Sequence, residues 1–197
     1  MVRRAIDIVV SLGVLALASP VLLVAIIAIR LESPGSAIYR QRRAGLDGEV
    51  FDVLKLRTMV DGAESIGAGL KIDAEDPRIT RVGELLRRTS IDELPNFVNV
   101  LRGEMSLIGP RPTLPVQVEQ YSERQRGRLA IKPGITGWAQ VNGRASLPWP
   151  ERIELDLYYI EHRSLALDLE ILRRTAASVL GGSGVYKGAD GGWQGEL

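Results

Sequence analysis

From Ile8 to Ile29 the chain is apolar at every position except Ser11, Gly13, Ser19 and Pro20. As a helix rising about 1.5 Å per residue, this stretch reaches roughly 30 Å, enough to span a bilayer core. Ser19-Pro20 falls near its middle, where proline removes an amide donor and kinks a helix. Arg3 and Arg4 precede the run, and Arg30, Arg40, Arg42 and Arg43 follow it. Basic residues on both flanks are what a segment with both ends on the cytosolic side would carry. A signal peptide fits less well, because Asp7 interrupts the basic start and the apolar run continues past Ala16-Leu17-Ala18. A single-pass anchor and a re-entrant helix both remain open on these residues.

Ser33-Pro34-Gly35-Ser36 reads as the turn that ends the membrane segment. Short strands at Ala37 to Arg40 and Val50 to Leu56, joined across Asp47-Gly48, predict a β-hairpin. Residues 61–76 lack periodicity and predict a mobile loop, placed to act as a lid. Thr80 is positioned to cap a helix through Val82, Leu85 and Leu86, and Ser90 with Glu93 has capping-box spacing for the next one. That helix places Ile91, Leu94, Val98 and Leu101 on one stripe and Asp92, Asn96 and Asn99 on another, which could face a site.

After Arg111 the chain is punctuated by proline and glycine through Lys132-Pro133-Gly134 and Asn142-Gly143-Arg144, which predicts long ordered loops. Leu147-Pro148-Trp149-Pro150 leads to a helix through Ile153, Leu157 and Ile160. A last helix carries Leu165, Leu169, Leu172, Ala176 and Val179 on one stripe, with Arg173 and Arg174 on its polar side. Such helices dock at a bilayer interface or pack the domain core. The elements amount to an α+β fold, predominantly helical: a membrane helix (1–32), a small membrane-associated domain with a β-hairpin and interfacial helices (33–180), and a flexible Gly-rich tail (181–197).

Composition narrows the chemistry. At 197 residues and 45% hydrophobic content the chain can bury one sizeable core. Its 25 basic and 24 acidic residues nearly cancel, so no global field draws it to nucleic acid. With no cysteine there is no disulfide, thiolate metal site or cysteine nucleophile, and the single histidine, His162, sits among charged neighbours as a surface residue would. Acid, base and nucleophilic chemistry therefore falls to carboxylates.

The adjacent carboxylates Asp92 and Glu93 are the strongest candidates. Lys55, Arg57, Arg87, Arg88, Arg102 and Arg111 surround them in sequence. Guanidinium groups bind phosphate through forked hydrogen bonds, and a pyrophosphate also needs a divalent cation on oxygen ligands, which Asp92 and Glu93 can supply. An ionised Asp can also attack phosphorus itself. On local pattern alone a structural capping box is the commoner explanation of Ser90 to Glu93. Arg111 is held between Pro110 and Pro112, which suits a preorganised anion contact or an ordinary turn. Trp138 is a core residue or a ring on which a base stacks.

The ordered motifs Gln41-Arg42-Arg43-Ala44-Gly45, Lys55-Leu56-Arg57-Thr58-Met59, Ser90-Ile91-Asp92-Glu93-Leu94-Pro95, Met105 to Pro112 and Lys132 to Arg144 resemble those of the bacterial sugar transferases. These are monotopic phosphoglycosyl transferases that act on polyprenyl phosphate, and the likeness, to the small form, covers nearly the whole chain. It implies transfer of a sugar phosphate from a UDP-sugar to undecaprenyl phosphate at the cytoplasmic face of the inner membrane, giving a polyprenyl diphosphate sugar and UMP, the first membrane step of glycoconjugate synthesis. It further implies Asp92 as nucleophile through a phosphosugar-enzyme intermediate. Glu93 would lie near Mg2+ or assist deprotonation, Arg87 and Arg111 would bind phosphate, and Ser19-Pro20 would form the break that makes the membrane helix re-entrant.

Ile91, Asn96, Leu56 and Ala145 depart from the commonest family pattern, which touches the pocket and sugar choice more than the reaction. Membrane lipid is the remaining partner, and a homodimer is left open. Two rival readings stay in view: a membrane-bound metal-dependent phosphodiesterase, and a non-enzymatic anchored assembly protein.

Overall fold

A computed structural model describes residues 2–66, 76–143 and 147–180. The Gly-rich tail, Ala145 and most of the expected lid loop lie outside the described residues.

Helix α1 runs from Val2 to Glu32 with Pro20 inside it, and it is long and apolar enough to cross a membrane. Its two ends both pack on the globular domain. At the N-terminal end Arg4 donates to the carbonyls of Val100 and Leu101 at 2.5 and 2.8 Å, placing a cation over the C-terminus of α3 (Asn96–Arg102). Arg3 pairs with Asp168 at 2.7 Å, and buried Asp7 accepts from the Ser106 hydroxyl and the Leu107 amide. At the other end Ala25 and Ile29 join a core cluster with Ala37, Leu56 and Leu86. Glu32 accepts the amides of Arg81 and Val82, and the Thr80 hydroxyl accepts that of Gly83, so two side chains cap α2 (Arg81–Arg88). Between the two ends Leu12, Leu17, Val21, Leu23 and Val24 are exposed.

The hairpin forms as expected, with antiparallel β1 (Ile38–Ala44) and β2 (Val50–Leu56) in register from Ile38 opposite Leu56 to Ala44 opposite Val50. Its turn uses positive φ at Asp47 and Gly48, the backbone that Asp-Gly supplies most readily. The first strand is longer than its apolar run predicted, because β2 pairs with it through the arginines. Asn99 closes this unit, with its amide bonded to the Leu54 amide, the Asp52 carbonyl and Glu104. It therefore ties α3 to β2, and the expectation that its stripe faces a site fails at this position.

A second sheet was not foreseen. β3 (Ser106–Ile108) and β4 (Gly134–Thr136) pair in parallel, bringing Gly109-Pro110-Arg111-Pro112 against Lys132-Pro133-Gly134. Gly134 donates to the Pro110 carbonyl and Gly109 to that of Thr136. A Cβ on Gly109 would lie 2.4 Å from the Lys132 oxygen and one on Gly134 2.1 Å from the Gly109 nitrogen, so only glycine permits this approach.

Short helices α4 (Pro115–Glu119), α5 (Glu123–Arg126) and α6 (Trp138–Val141) occupy the region expected as loops. Helices α7 (Trp149–Glu161) and α8 (Leu165–Leu180) complete the domain over a core of Leu107, Ile108, Tyr159 and Ile171. Leu165, Leu169, Leu172 and Val179 are all exposed, which rules out core packing for that stripe. Trp138 packs against the core cluster, with the Arg174 guanidinium 5.0 Å from its ring. His162 is exposed and stacked on Tyr158.

Candidate active site

Asp92 and Glu93 lie on a 3-10 turn, Ile91–Glu93, between α2 and α3. Ser90 precedes them with φ 57° and ψ 17° and makes no capping bond from its side chain. A capping Ser needs extended backbone, whereas this left-handed residue ends α2, its amide bonding the Arg87 carbonyl. Glu93 does not reach back either: its Oε1 accepts from Lys55 Nζ at 2.7 Å and Arg111 Nη2 at 3.2 Å. The capping-box reading is thereby overturned. Glu93 is turned to other partners, and Ser90 holds a left-handed conformation that costs about 1–3 kcal/mol for a non-glycine residue.

The two carboxyls line a cavity of about 430 Å3 together with Arg87, Arg111, Arg128 and Arg152. Burial pushes Asp92 up to about 6, against the pull of Lys55 and with the push of Glu93. Burial acts on Glu93 in the same sense, but Lys55 and Arg111 outweigh it and hold that carboxyl well below the usual range. Among the described residues no hydrogen bond engages the Asp92 carboxylate. Burial lowers Arg152, with Arg111 and Arg128 adding to the effect and Asp156 opposing it. Such a site favours an anion.

Arg87 and Arg128 are held from behind. Arg87 donates through Nε to the Thr58 hydroxyl at 2.7 Å. Arg128 pairs with buried Asp156 at 2.6 Å, donates to the Tyr121 hydroxyl at 2.7 Å, and donates to the Arg111 carbonyl at 2.9 Å, fixing the backbone that Pro110 and Pro112 already restrict.

The chain has counterparts in sequence among known proteins. A profile of bacterial sugar transferases matches residues 1–182. The chain belongs to the bacterial sugar transferase family. It is 40% identical over 185 residues to the uncharacterized sugar transferase EpsL of Bacillus subtilis (strain 168), covering 94% of this chain and 90% of that one. It is 45% identical over 195 residues to the UDP-glucose:undecaprenyl-phosphate glucose-1-phosphate transferase of Caulobacter vibrioides, covering 93% and 72%. It is also 45% identical over 180 residues to the Escherichia coli (strain K12) protein of that same name, covering 87% of this chain but only 39% of the relative.

In this sugar transferase the structure gathers Asp92, Glu93, Arg87 and Arg111 on one cavity and puts Lys55 on Glu93. Arg57 is not brought there. Its guanidinium is buried against the carbonyls of Ser33 and Pro34, holding the turn that leaves α1. Arg88 and Arg102 are exposed and do not line the cavity. Sequence reasoning missed Arg128, Arg152, Asp156, Trp149 and Gln140. One signal was available: Asp156 lies between Leu155 and Leu157 on the apolar side of a helix, one turn after Arg152.

Proposed function

We propose that this chain transfers a sugar 1-phosphate from a UDP-sugar to undecaprenyl phosphate at the cytoplasmic face of the inner membrane, releasing UMP, through a phosphosugar ester on Asp92. The observation that carries this reading is the placement of Asp92: a partly buried carboxylate without a hydrogen-bonding partner among the described residues, raised to about 6, in a cavity lined by four guanidinium groups. The Caulobacter and E. coli relatives carry UDP-glucose and undecaprenyl phosphate in their names.

In the first half-reaction an Asp92 oxygen attacks the phosphorus that bears the sugar. The new O–P bond forms as the P–O bond to UMP breaks, and the electron pair leaves with UMP. In the second, an oxygen of undecaprenyl phosphate attacks the same phosphorus and the Asp92 carboxylate departs, leaving the polyprenyl diphosphate sugar. A carboxylate with a pKa of about 6 is still mostly ionised at neutral pH, yet more basic than an ordinary one. Arg87, Arg111, Arg128 and Arg152 neutralise the non-bridging oxygens and the departing UMP. Glu93, locked by two cations, is a poor proton acceptor and instead orients Lys55 and Arg111.

Because both cations use Glu93 Oε1, Oε2 and the Asp92 oxygens are the donors left for Mg2+. That ion characteristically takes one or two carboxylates plus substrate phosphates. This suits a metal that arrives with substrate, since no group of three or more metal-binding side chains occurs among the described residues. When bound, it would neutralise pyrophosphate charge.

The membrane arrangement we favour is re-entrant. Both ends of α1 pack on one domain, as a helix that enters and leaves on the same face requires, and Pro20 lies in the exposed stretch between them. The exposed leucines of α8 offer a second, interfacial contact.

Purified protein supplied with a UDP-sugar, Mg2+ and undecaprenyl phosphate should yield UMP and a lipid-linked sugar diphosphate. Free sugar phosphate formed without lipid would identify a phosphodiesterase instead.

A further inference from the structure

Gln140, on α6, is nine-tenths buried and lines the same cavity as Asp92, yet among the described residues neither its amide nitrogen nor its amide oxygen has a partner. A buried primary amide left wholly unpaired costs several hydrogen bonds' worth of desolvation, so its partner is expected to be something that enters the cavity. Gly137 is required first by the backbone, since a Cβ there would lie 2.1 Å from the Gly109 carbonyl oxygen, and it would also fall 2.7 Å from Gln140 Oε1.

The surroundings define the ligand's shape and polarity. The elements flanking α6 contribute Ile135, Thr136, Thr175 and Val179 to the wall, with Ala139 beside Gln140. The two threonine hydroxyls already bond each other at 2.7 Å, and Thr175 also donates to the Ile171 carbonyl. These walls are uncharged and mostly apolar, with one donor and one acceptor side by side. A diphosphate needs the guanidinium groups, and a hexose presents hydroxyls around its whole ring and needs several partners. A pyrimidine base has apolar faces and a single polar edge.

We infer that Gln140 is the residue that reads the uracil of the nucleotide donor: its Oε1 accepts from N3–H while its Nε2 donates to an adjacent ring carbonyl. The inference rests on the UDP-sugar reading above and adds to it the group that recognises the base. An amide can flip, so a cytosine edge could also be paired, and the discriminating probe is a uridine nucleotide methylated at N3.

The test compares UMP with 3-methyl-UMP as inhibitors of the full-length protein in detergent or nanodiscs, in wild type and in Gln140→Met. A bidentate amide-to-base contact discriminates by about ten- to a hundredfold. Wild type should bind UMP tighter than 3-methyl-UMP by that factor, and the variant should bind the two within about twofold of each other, with KM for the donor raised more than kcat is lowered. If Gln140→Met does not fold, Gln140→Leu, close in volume and carrying neither donor nor acceptor, serves for the same comparison. Equal inhibition of wild type by both nucleotides, or discrimination retained in the variant, overturns the role of Gln140 while leaving the donor class intact. Failure of wild type to bind either nucleotide overturns the UDP-sugar reading along with it.

Discussion

Asp92 and Glu93, adjacent on one 3-10 turn, are driven to opposite ionisation: Asp92 rises to about 6 while Glu93 is held well below the ordinary carboxylate range. Burial opposes charge on both. Glu93 turns its Oε1 to Lys55 and Arg111, whereas Asp92 makes no such bonds among the described residues. The pair thus divides into a fixed counter-ion and the carboxylate that we propose as the nucleophile.

Asp92→Asn should abolish turnover and stabilise the fold. The folded pKa of Asp92 lies above its ordinary value of 3.8, so its protonated form contributes stability that is fully present below that value and lost as pH rises through about 6. Removing the charge should return about 1–2 kcal/mol at pH 7.5, allowing for solvent screening of a partly exposed group. That is roughly 2–8 °C in Tm for a chain of this size. The gain should shrink towards zero near pH 4. Thermal unfolding of both proteins without divalent cations, from pH 4 to 8, checks this.

Glu93→Gln should act with the opposite sign. Its depressed folded pKa means the stability it contributes is present above the ordinary value of 4.5 and lost only as pH falls well below that. The substitution leaves Lys55 and Arg111 without their shared counter-ion, at a cost of about 1–3 kcal/mol. Denaturant titration at pH 7 should show a lower midpoint for this variant and a higher one for Asp92→Asn.

Ser90 supplies a backbone test of the same turn. Its φ of 57° is cheap for glycine and costly for a β-branched side chain. Ser90→Gly should fold and turn over like wild type, since no capping bond is lost. Ser90→Val should lose about 1–3 kcal/mol and disturb the presentation of Asp92. Equal melting temperatures for the two variants would contradict the account of the turn.

The topology of α1 can be read from its exposed ends. The chain has no cysteine, so Val2→Cys and Leu31→Cys, both at exposed positions, each introduce a single label site. Impermeant maleimide applied to inverted and right-side-out vesicles should label both positions from the same, cytoplasmic side. Labelling from opposite sides would reject the re-entrant arrangement.

Periodicity made much of this fold legible. The apolar run of α1, the Asp-Gly hairpin, the Thr80 cap and helices α7 and α8 all follow from local pattern. The β3–β4 pairing does not, because each strand is three residues long and their contact depends on glycine backbones meeting across a long separation in sequence. The capping-box spacing at Ser90 and Glu93 misled for a related reason: spacing is silent on φ, and tertiary cations took Glu93 away. Arg57 and Arg128 were equally ambiguous as isolated arginines. Only the fold shows one tied to Ser33 and Pro34 and the other to Asp156, Tyr121 and the Arg111 carbonyl.

The most direct test of the central claim is intact-protein and peptide mass spectrometry after incubation with the cognate UDP-sugar and Mg2+ but no lipid. The account predicts one phosphosugar adduct on the peptide bearing Asp92, about one equivalent of UMP released, and discharge of the adduct on adding undecaprenyl phosphate. An unmodified protein that releases UMP only once lipid is present, with normal turnover, would contradict it.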